Sequence, residues 1–315
     1  MKELTIAFFT EAGLQRGMGH LVRSYTLYRK ALSLGLRAKF YLDSDINYDY
    51  KFQNLHYFSF DSFELHERYN IIFIDSYIAS IKTYEKIAKN STLAVYIDDY
   101  ARLDYPHGLI INFAPDAKKL FFQEEKKKYN YLLGLSYLVL REEILTTQLE
   151  KKNQLFIMLG GSDVQGLSQD ILTSLDNLQI DKIIVCNNKE IFDTLKHDKN
   201  TTLLYQPTDN ELITYMAESR LAITTASMSV YELAYLKIPT IIISVAKNQM
   251  IGMQQFLNHK LASKFVDIKE DNWQEKIMAA TTELLNKKEI IINKDITPYA
   301  SQKIFQKVFQ LCKKS

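Results

Sequence analysis

The sequence predicts an α/β protein built of two doubly wound parallel-sheet domains. Three observations lead there. Short apolar, β-rich runs alternate with longer amphipathic segments, that alternation starts afresh in the second half of the chain, and 315 residues exceed what one hydrophobic core usually organises. Alternation of this kind marks βαβ units around a parallel sheet, since parallel neighbours need a crossover long enough to hold a helix.

The first series of strands is expected at Leu4 to Phe9, Ala38 to Leu42, Ile71 to Ile74, Leu93 to Ile97 and Leu109 to Ile111. The second is expected at Leu155 to Leu159, Ile183 to Val185, Leu203 to Tyr205, Leu221 to Thr224 and Thr240 to Ser244. Between them the polar stretch Leu145 to Gln154 closes one series and opens the other, which sets domains at 1–150 and 151–297. In the tail, Ile304, Phe305, Val308, Phe309 and Cys312 recur at helical spacing, so residues 298–315 form a helix with one sticky face that needs a surface to cover.

Composition narrows the function classes. Hydrophobic residues at 47%, charged residues at 24%, 20 Tyr and 17 Phe describe a chain that folds throughout. A net charge of +2 gives no broad cationic surface for nucleic acid, and Lys126-Lys127-Lys128, following Glu124-Glu125, reads as a solvated face. Two cysteines far apart, Cys186 and Cys312, fit a reducing compartment, so a cytoplasmic location is expected. The apolar runs Leu4 to Phe9 and Ile241 to Ala246 are too short for a secretory or membrane-spanning segment. A monomer is expected.

Three turns carry the chemistry. The first strand runs into Gly17-Met18-Gly19-His20 and then a helical pattern through Leu27 and Ala31. Glycines between strand and helix let a ligand approach the backbone, and free N–H groups there attract anions. His20 would sit at the helix start, with Arg23 on the same face one turn on. A plain glycine turn with an idle histidine is the alternative. The second half repeats the device at Gly160-Gly161-Ser162-Asp163 after Leu159, suited to a phosphate or, more simply, a helix cap by Ser162 or Asp163. The third turn is Thr224-Thr225-Ala226-Ser227, with Glu232 on the following helix. Its hydroxyls suit a pyrophosphate and Glu232 suits ribose hydroxyls, although Ser229-x-x-Glu232 also reads as a capping box.

Asp75-Ser76-Tyr77 and Lys247-Asn248-Gln249 each follow a strand and present polar groups, or merely turn. Asp98-Asp99 looks like a carboxylate pair, but successive side chains leave a strand on opposite faces, so at most one reaches a shared site. The six histidines form no i,i+4 pair and indicate no metal; His56, His66, His107, His197 and His259 read as surface or capping residues. Trp273 is expected to pack. Neither a metal nor a cofactor is expected.

Taken in order, Gly17-Met18-Gly19-His20 with Arg23, Ile74-Asp75-Ser76-Tyr77, Ile97-Asp98-Asp99, Leu140-Arg141-Glu142-Glu143, Leu159-Gly160-Gly161-Ser162-Asp163, Thr225-Ala226-Ser227 with Glu232, and Lys247-Asn248-Gln249 run through most of the chain. This series resembles the UDP-2,4-diacetamido-2,4,6-trideoxy-β-L-altropyranose hydrolases, which act late in pseudaminic acid biosynthesis. The resemblance implies the GT-B architecture: two Rossmann-like domains facing a central cleft, with the last helix returning to the first domain. It implies a catalytic His20 and an active-site Tyr77. Gly17, Gly19, Arg23, Asp75, Arg141, Asn248 and Gln249 would serve the substrate, the last two by holding sugar substituents, and Gly160, Gly161, Ser162, Asp163, Ser227 and Glu232 the nucleotide. Two departures bear on which sugar is taken: the family often has His where this chain has Ser76, and Asn where it has Tyr231.

The implied reaction is water attack at the anomeric carbon with inversion and departure of UDP, in a bacterial route to cell-surface glycans such as glycosylated flagellin. A GT-B glycosyltransferase passing the sugar to an acceptor, and a nucleotide-sugar binding protein without turnover, are the rivals.

Overall fold

The computed structural model describes residues 4–14, 16–49, 52–62, 64–121, 130–160, 163, 166–244, 250–293 and 295–313, the side chains of 250 and 251 excepted. The chain divides into two compact units, Met1–Arg141 with Asp295–Ser315, and Glu142–Lys294.

Unit 1 carries a seven-stranded sheet whose paired strands all run parallel. Its strands are β1 (Thr5–Ala12), β2 (Arg37–Ser44), β3 (Leu55–Phe58), β4 (Tyr69–Asp75), β5 (Ser91–Ile97), β6 (Leu109–Asn112) and β7 (Asn130–Leu133), in the order β3-β2-β1-β4-β5-β6-β7. The alternation of β1 sorts its side chains by face. Ala7 and Phe9 join Ile72, Ile74, Tyr96 and helix α2 (Ile81–Ala88) through Tyr84 and Ile87. On the other face Phe8 stacks on Phe73 at 4.9 Å and meets Tyr28 of helix α1 (Gly19–Ser33) edge-on. Phe73 also meets Phe305 of the last helix, Ala300–Cys312, whose Ile304, Phe305 and Val308 are buried.

Unit 2 carries a six-stranded parallel sheet made of β8 (Gln154–Met158), β9 (Asp181–Cys186), β10 (Thr201–Tyr205), β11 (Leu221–Thr225), β12 (Thr240–Ser244) and β13 (Lys264–Asp267), in the order β10-β9-β8-β11-β12-β13. One face packs Leu155, Ile157, Ile223 and Ile241 with Trp273 and Ile277; the other packs Phe156, Ala222 and Ile183 with Met216 and Leu233. In each unit the strand order reverses once, between β1 and β4 and between β8 and β11. Open α/β sheets bind ligands at the carboxyl ends of the strands at that reversal.

All ten strands expected from the sequence are present. Those it did not suggest, β3, β7 and β13, lie at sheet edges, where half-exposed four-residue strands need no apolar run. Among the described residues no helix is long and apolar enough to cross a membrane, and no group of three His, Cys, Asp or Glu side chains could hold a metal ion.

Candidate active site

At the reversal in unit 1, the loop after β1 closes on itself through two backbone bonds between Gly13 and Gly17, and Gly17 takes φ +71°, a conformation that favours glycine. Gly19 then opens α1, whose preceding residue, Met18, supplies no side-chain cap. One residue into the helix, His20 turns inward to the end of β4.

There, His20 Nδ1 lies 2.6 Å from Asp75 Oδ1. Arg23, one turn on, donates from Nε to Asp75 Oδ2 (2.5 Å) and from Nη2 to Oδ1 (2.6 Å), the two-pronged geometry guanidinium and carboxylate share. Ser24 Oγ adds a bond to Oδ2 at 3.1 Å. From Nη1, Arg23 also donates to both oxygens of Asp99, at 3.1 and 3.0 Å, and its guanidinium stands over the Phe113 ring. The Tyr77 hydroxyl donates to Asp99 Oδ2, and the Tyr77 ring meets the His20 ring edge-on, centroids 4.4 Å apart.

His20, Arg23 and Asp75 are all buried, at 7%, 4% and 1% exposure, so charge governs the site. Burial would push the Asp75 carboxyl up, but Arg23 and His20 outweigh it and hold Asp75 well below the usual carboxylate range. Burial likewise works against the Arg23 charge, yet Asp75 and Asp99 raise Arg23 well above its ordinary value. For Tyr77, burial and the Asp99 carboxylate act together and push the phenol far up, so it keeps its proton. His20 Nδ1 also lies 2.9 Å from Arg23 Nη2, so that nitrogen faces an acceptor and a donor at once; in the tautomer with Nδ1–H on Asp75, Nε2 carries the lone pair.

The structure thus brings Asp75 and Arg23 to each other and to His20. Of the Asp98-Asp99 pair, of which at most one was expected to reach a shared site, Asp99 is the one that joins Arg23 and Tyr77. Its neighbour Asp98 turns the other way and accepts from the backbone N–H groups of Tyr100 and Arg102, both at 3.0 Å, as strand alternation requires. Ser76 also turns inward, 2% exposed, with its hydroxyl on Glu11. Arg141 is buried at the end of the first stretch of unit 1.

At the reversal in unit 2, Gly160 follows β8 with φ +79°, and a Cβ there would lie 3.5 Å from Thr225 Oγ1, so the turns after β8 and β11 adjoin. Asp163 accepts from the N–H groups of Leu167 and Ser168 with its two carboxylate oxygens, 3.0 Å each, capping helix Ser168–Ser174. That is the simpler of its two sequence readings. Ser227 precedes helix Met228–Tyr235 without capping it, and its Oγ is buried with no partner among the described residues. Ser229 lies inside that helix, so it is not the N-cap a Ser229–Glu232 capping box requires, and Glu232 is 5% exposed one turn in. A capping box is present in this unit at Thr208 and Glu211. Gly161, Ser162, Asn248 and Gln249 lie outside the described residues, as does the Glu124 to Lys128 run.

No family model matches the chain. Two curated proteins are similar to it. The pseudaminic acid cytidylyltransferase and UDP-2,4-diacetamido-2,4,6-trideoxy-β-L-altropyranose hydrolase of Helicobacter pylori is 26% identical over 261 residues, 81% of this chain and 47% of that protein, so the chain spans about half its length. The UDP-2,4-diacetamido-2,4,6-trideoxy-β-L-altropyranose hydrolase of Campylobacter jejuni is 27% identical over 261 residues, 78% of this chain and 93% of that protein. Among solved structures, UDP-GlcNAc 2-epimerase of Methanocaldococcus jannaschii matches with TM-score 0.66 at 11% identity, covering 98% of this chain and 99% of that one. CalG4, the calicheamicin glycosyltransferase, matches with TM-score 0.64 at 11% identity, covering 99% and 98%. At such identity the structural likeness speaks for the fold alone. The resemblance to the hydrolases and the GT-B fold class both stand.

Proposed function

We propose that this protein hydrolyses a UDP-linked 2,4-diacetamido-2,4,6-trideoxy sugar, releasing UDP and the free sugar. The observation that carries the reading is the His20–Asp75 pair: a buried carboxylate 2.6 Å from Nδ1 suits a ring that keeps its proton there and accepts another on Nε2. The similarity to the Helicobacter pylori and Campylobacter jejuni hydrolases supplies the substrate class.

In this reading His20 Nε2 takes a proton from water as the water oxygen bonds to the anomeric carbon. The bond from that carbon to the diphosphate oxygen breaks, its electron pair leaves with UDP, and the sugar inverts. Two carboxylates and one guanidinium surround His20, and the carboxylates would favour the positive charge that the ring gains with the proton. Tyr77, its proton committed to Asp99, orients rather than transfers protons. The nucleotide falls to unit 2, with the unpartnered Ser227 hydroxyl turned to phosphate and Glu232 to ribose.

The test is to incubate the protein with the UDP-sugar, with and without acceptor alcohols, and follow the anomeric signals by NMR. Free sugar formed first as the inverted anomer is the expected result. Transfer to an acceptor without hydrolysis would make it a glycosyltransferase, as the fold shared with CalG4 permits. UDP binding without turnover would sink both readings.

A further inference from the structure

A buried glutamate lies behind the Tyr77 turn. Glu11, next to last in β1, is 1% exposed among apolar neighbours, and its carboxylate accepts from three groups of a single turn. Oε1 takes the Tyr77 N–H at 3.1 Å; Oε2 takes the Ile78 N–H at 3.2 Å and the Ser76 hydroxyl at 2.5 Å. Ser76 Oγ accepts in turn from the N–H groups of Ile78 (3.1 Å) and Ala79 (3.0 Å). From the far side, the Ser76 carbonyl accepts from the Tyr84 hydroxyl at 2.8 Å and Arg102 Nη2 at 2.9 Å. A carboxylate taken out of water is costly unless its hydrogen bonds are replaced, and here the replacements all come from the segment that aims Tyr77.

We infer that Glu11 is the positioning residue for Tyr77. It anchors the turn from below, Ser76 relays the anchor, and the Tyr77 ring is thereby set edge-on against His20. Position 76, where the chain departs from the hydrolases it resembles, then belongs to the anchor and not to the sugar contact. The inference rests on the proposed reading that His20 and Tyr77 form the reacting centre.

Glu11→Gln keeps the shape of the side chain but turns an NH₂ toward one of the three donors. In the full chain, kcat for the UDP-sugar should fall between about 10-fold and 10²-fold, because misplacing a positioning group by an ångström costs on that order, while the inhibition constant of UDP stays unchanged. In a Tyr77→Ala background the same change should cost nothing further, since its target is gone. The imidazole NMR signals of His20, which lie in the field of the Tyr77 ring, should move in Glu11→Gln in the same direction as in Tyr77→Ala. Ser76→Ala should give a smaller loss and Ser76→Thr restore it, which keeps the question open to measurement if Glu11→Gln does not fold. Wild-type kcat with unmoved His20 signals in Glu11→Gln would overturn the inference, as would losses that add in the double variant. If the wild type shows no hydrolysis, the functional reading fails, and the His20 signals alone decide on Glu11.

Discussion

His20 and Asp75 meet at 2.6 Å, ring nitrogen to carboxylate oxygen, where neither side chain retains appreciable contact with solvent. In the proposed mechanism Asp75 holds the ring in the tautomer with Nδ1–H. Asp75→Asn tests this, because an amide can present either its oxygen or its NH₂ to Nδ1, and the second choice moves the ring proton to Nε2. kcat should fall by about 10² to 10⁴, as expected when a histidine base is held in the wrong tautomer, with UDP affinity unchanged. Steady-state kinetics beside UDP titration calorimetry would read both.

The same carboxylate sets an acid limit on stability. Its pKa is depressed in the folded protein, despite burial, by Arg23 and His20, so the unfolded chain takes up this proton at a higher pH than the folded one. The stabilisation is present above the ordinary carboxylate range and is lost as pH falls through and below it. Urea unfolding from about pH 5 to about pH 2 should show the decline, and Asp75→Asn, although less stable at neutral pH because Arg23 loses one of its two carboxylate partners, should show a flatter one.

Binding and chemistry should separate at His20. His20→Ala should lower kcat by about 10²-fold or more with little change in UDP affinity, since a general base acts in the transition state. His20→Asn should be nearly as poor: it can hold a water but cannot accept its proton at neutral pH. Full kcat in either variant would remove His20 from the mechanism.

On unit 2, the helical position of Ser229 removes the capping-box reading of Glu232. Glu232→Ala should weaken UDP binding by about 1 to 3 kcal/mol, the range for a charged hydrogen bond. A variant that binds UDP normally and only melts earlier would return Glu232 to a purely structural role.

Hydrolysis should survive chelation. Helix N-termini and hydroxyls can hold a diphosphate unaided. Loss of turnover in EDTA, restored by Mg²⁺ or Mn²⁺, would contradict this expectation.

The central strands were legible because a strand covered on both faces must be a continuous apolar run, as in Ile71 to Ile74 or Ile241 to Ile243. Edge strands such as Leu55–Phe58 escape that constraint and so leave no such run. At the candidate site, glycine spacing pointed to His20, and helix periodicity put Arg23 beside it. What periodicity cannot supply is the partner of a polar side chain that follows a strand. Asp75 and Ser76 read only as polar groups after a strand, and neither Arg23 nor Glu11 could be named as their partners. Asp99 could be narrowed to one of two by alternation, but its contact with Tyr77 depends on how two loops meet. Glu11 did leave a trace, a lone carboxylate in an apolar strand, whose cost implies matching donors somewhere.

The discontinuity of unit 1 sets an order on synthesis. Phe305 reaches Phe73 only after the whole of Glu142–Lys294 has left the ribosome. Unit 2 is continuous, and it can close as soon as it emerges, whereas the face of Phe8 and Phe73 must wait for the final helix. A nascent chain therefore carries an unfinished apolar surface while Glu142–Lys294 is made, and a premature stop just before residue 300 would leave that surface open to chaperones and proteases.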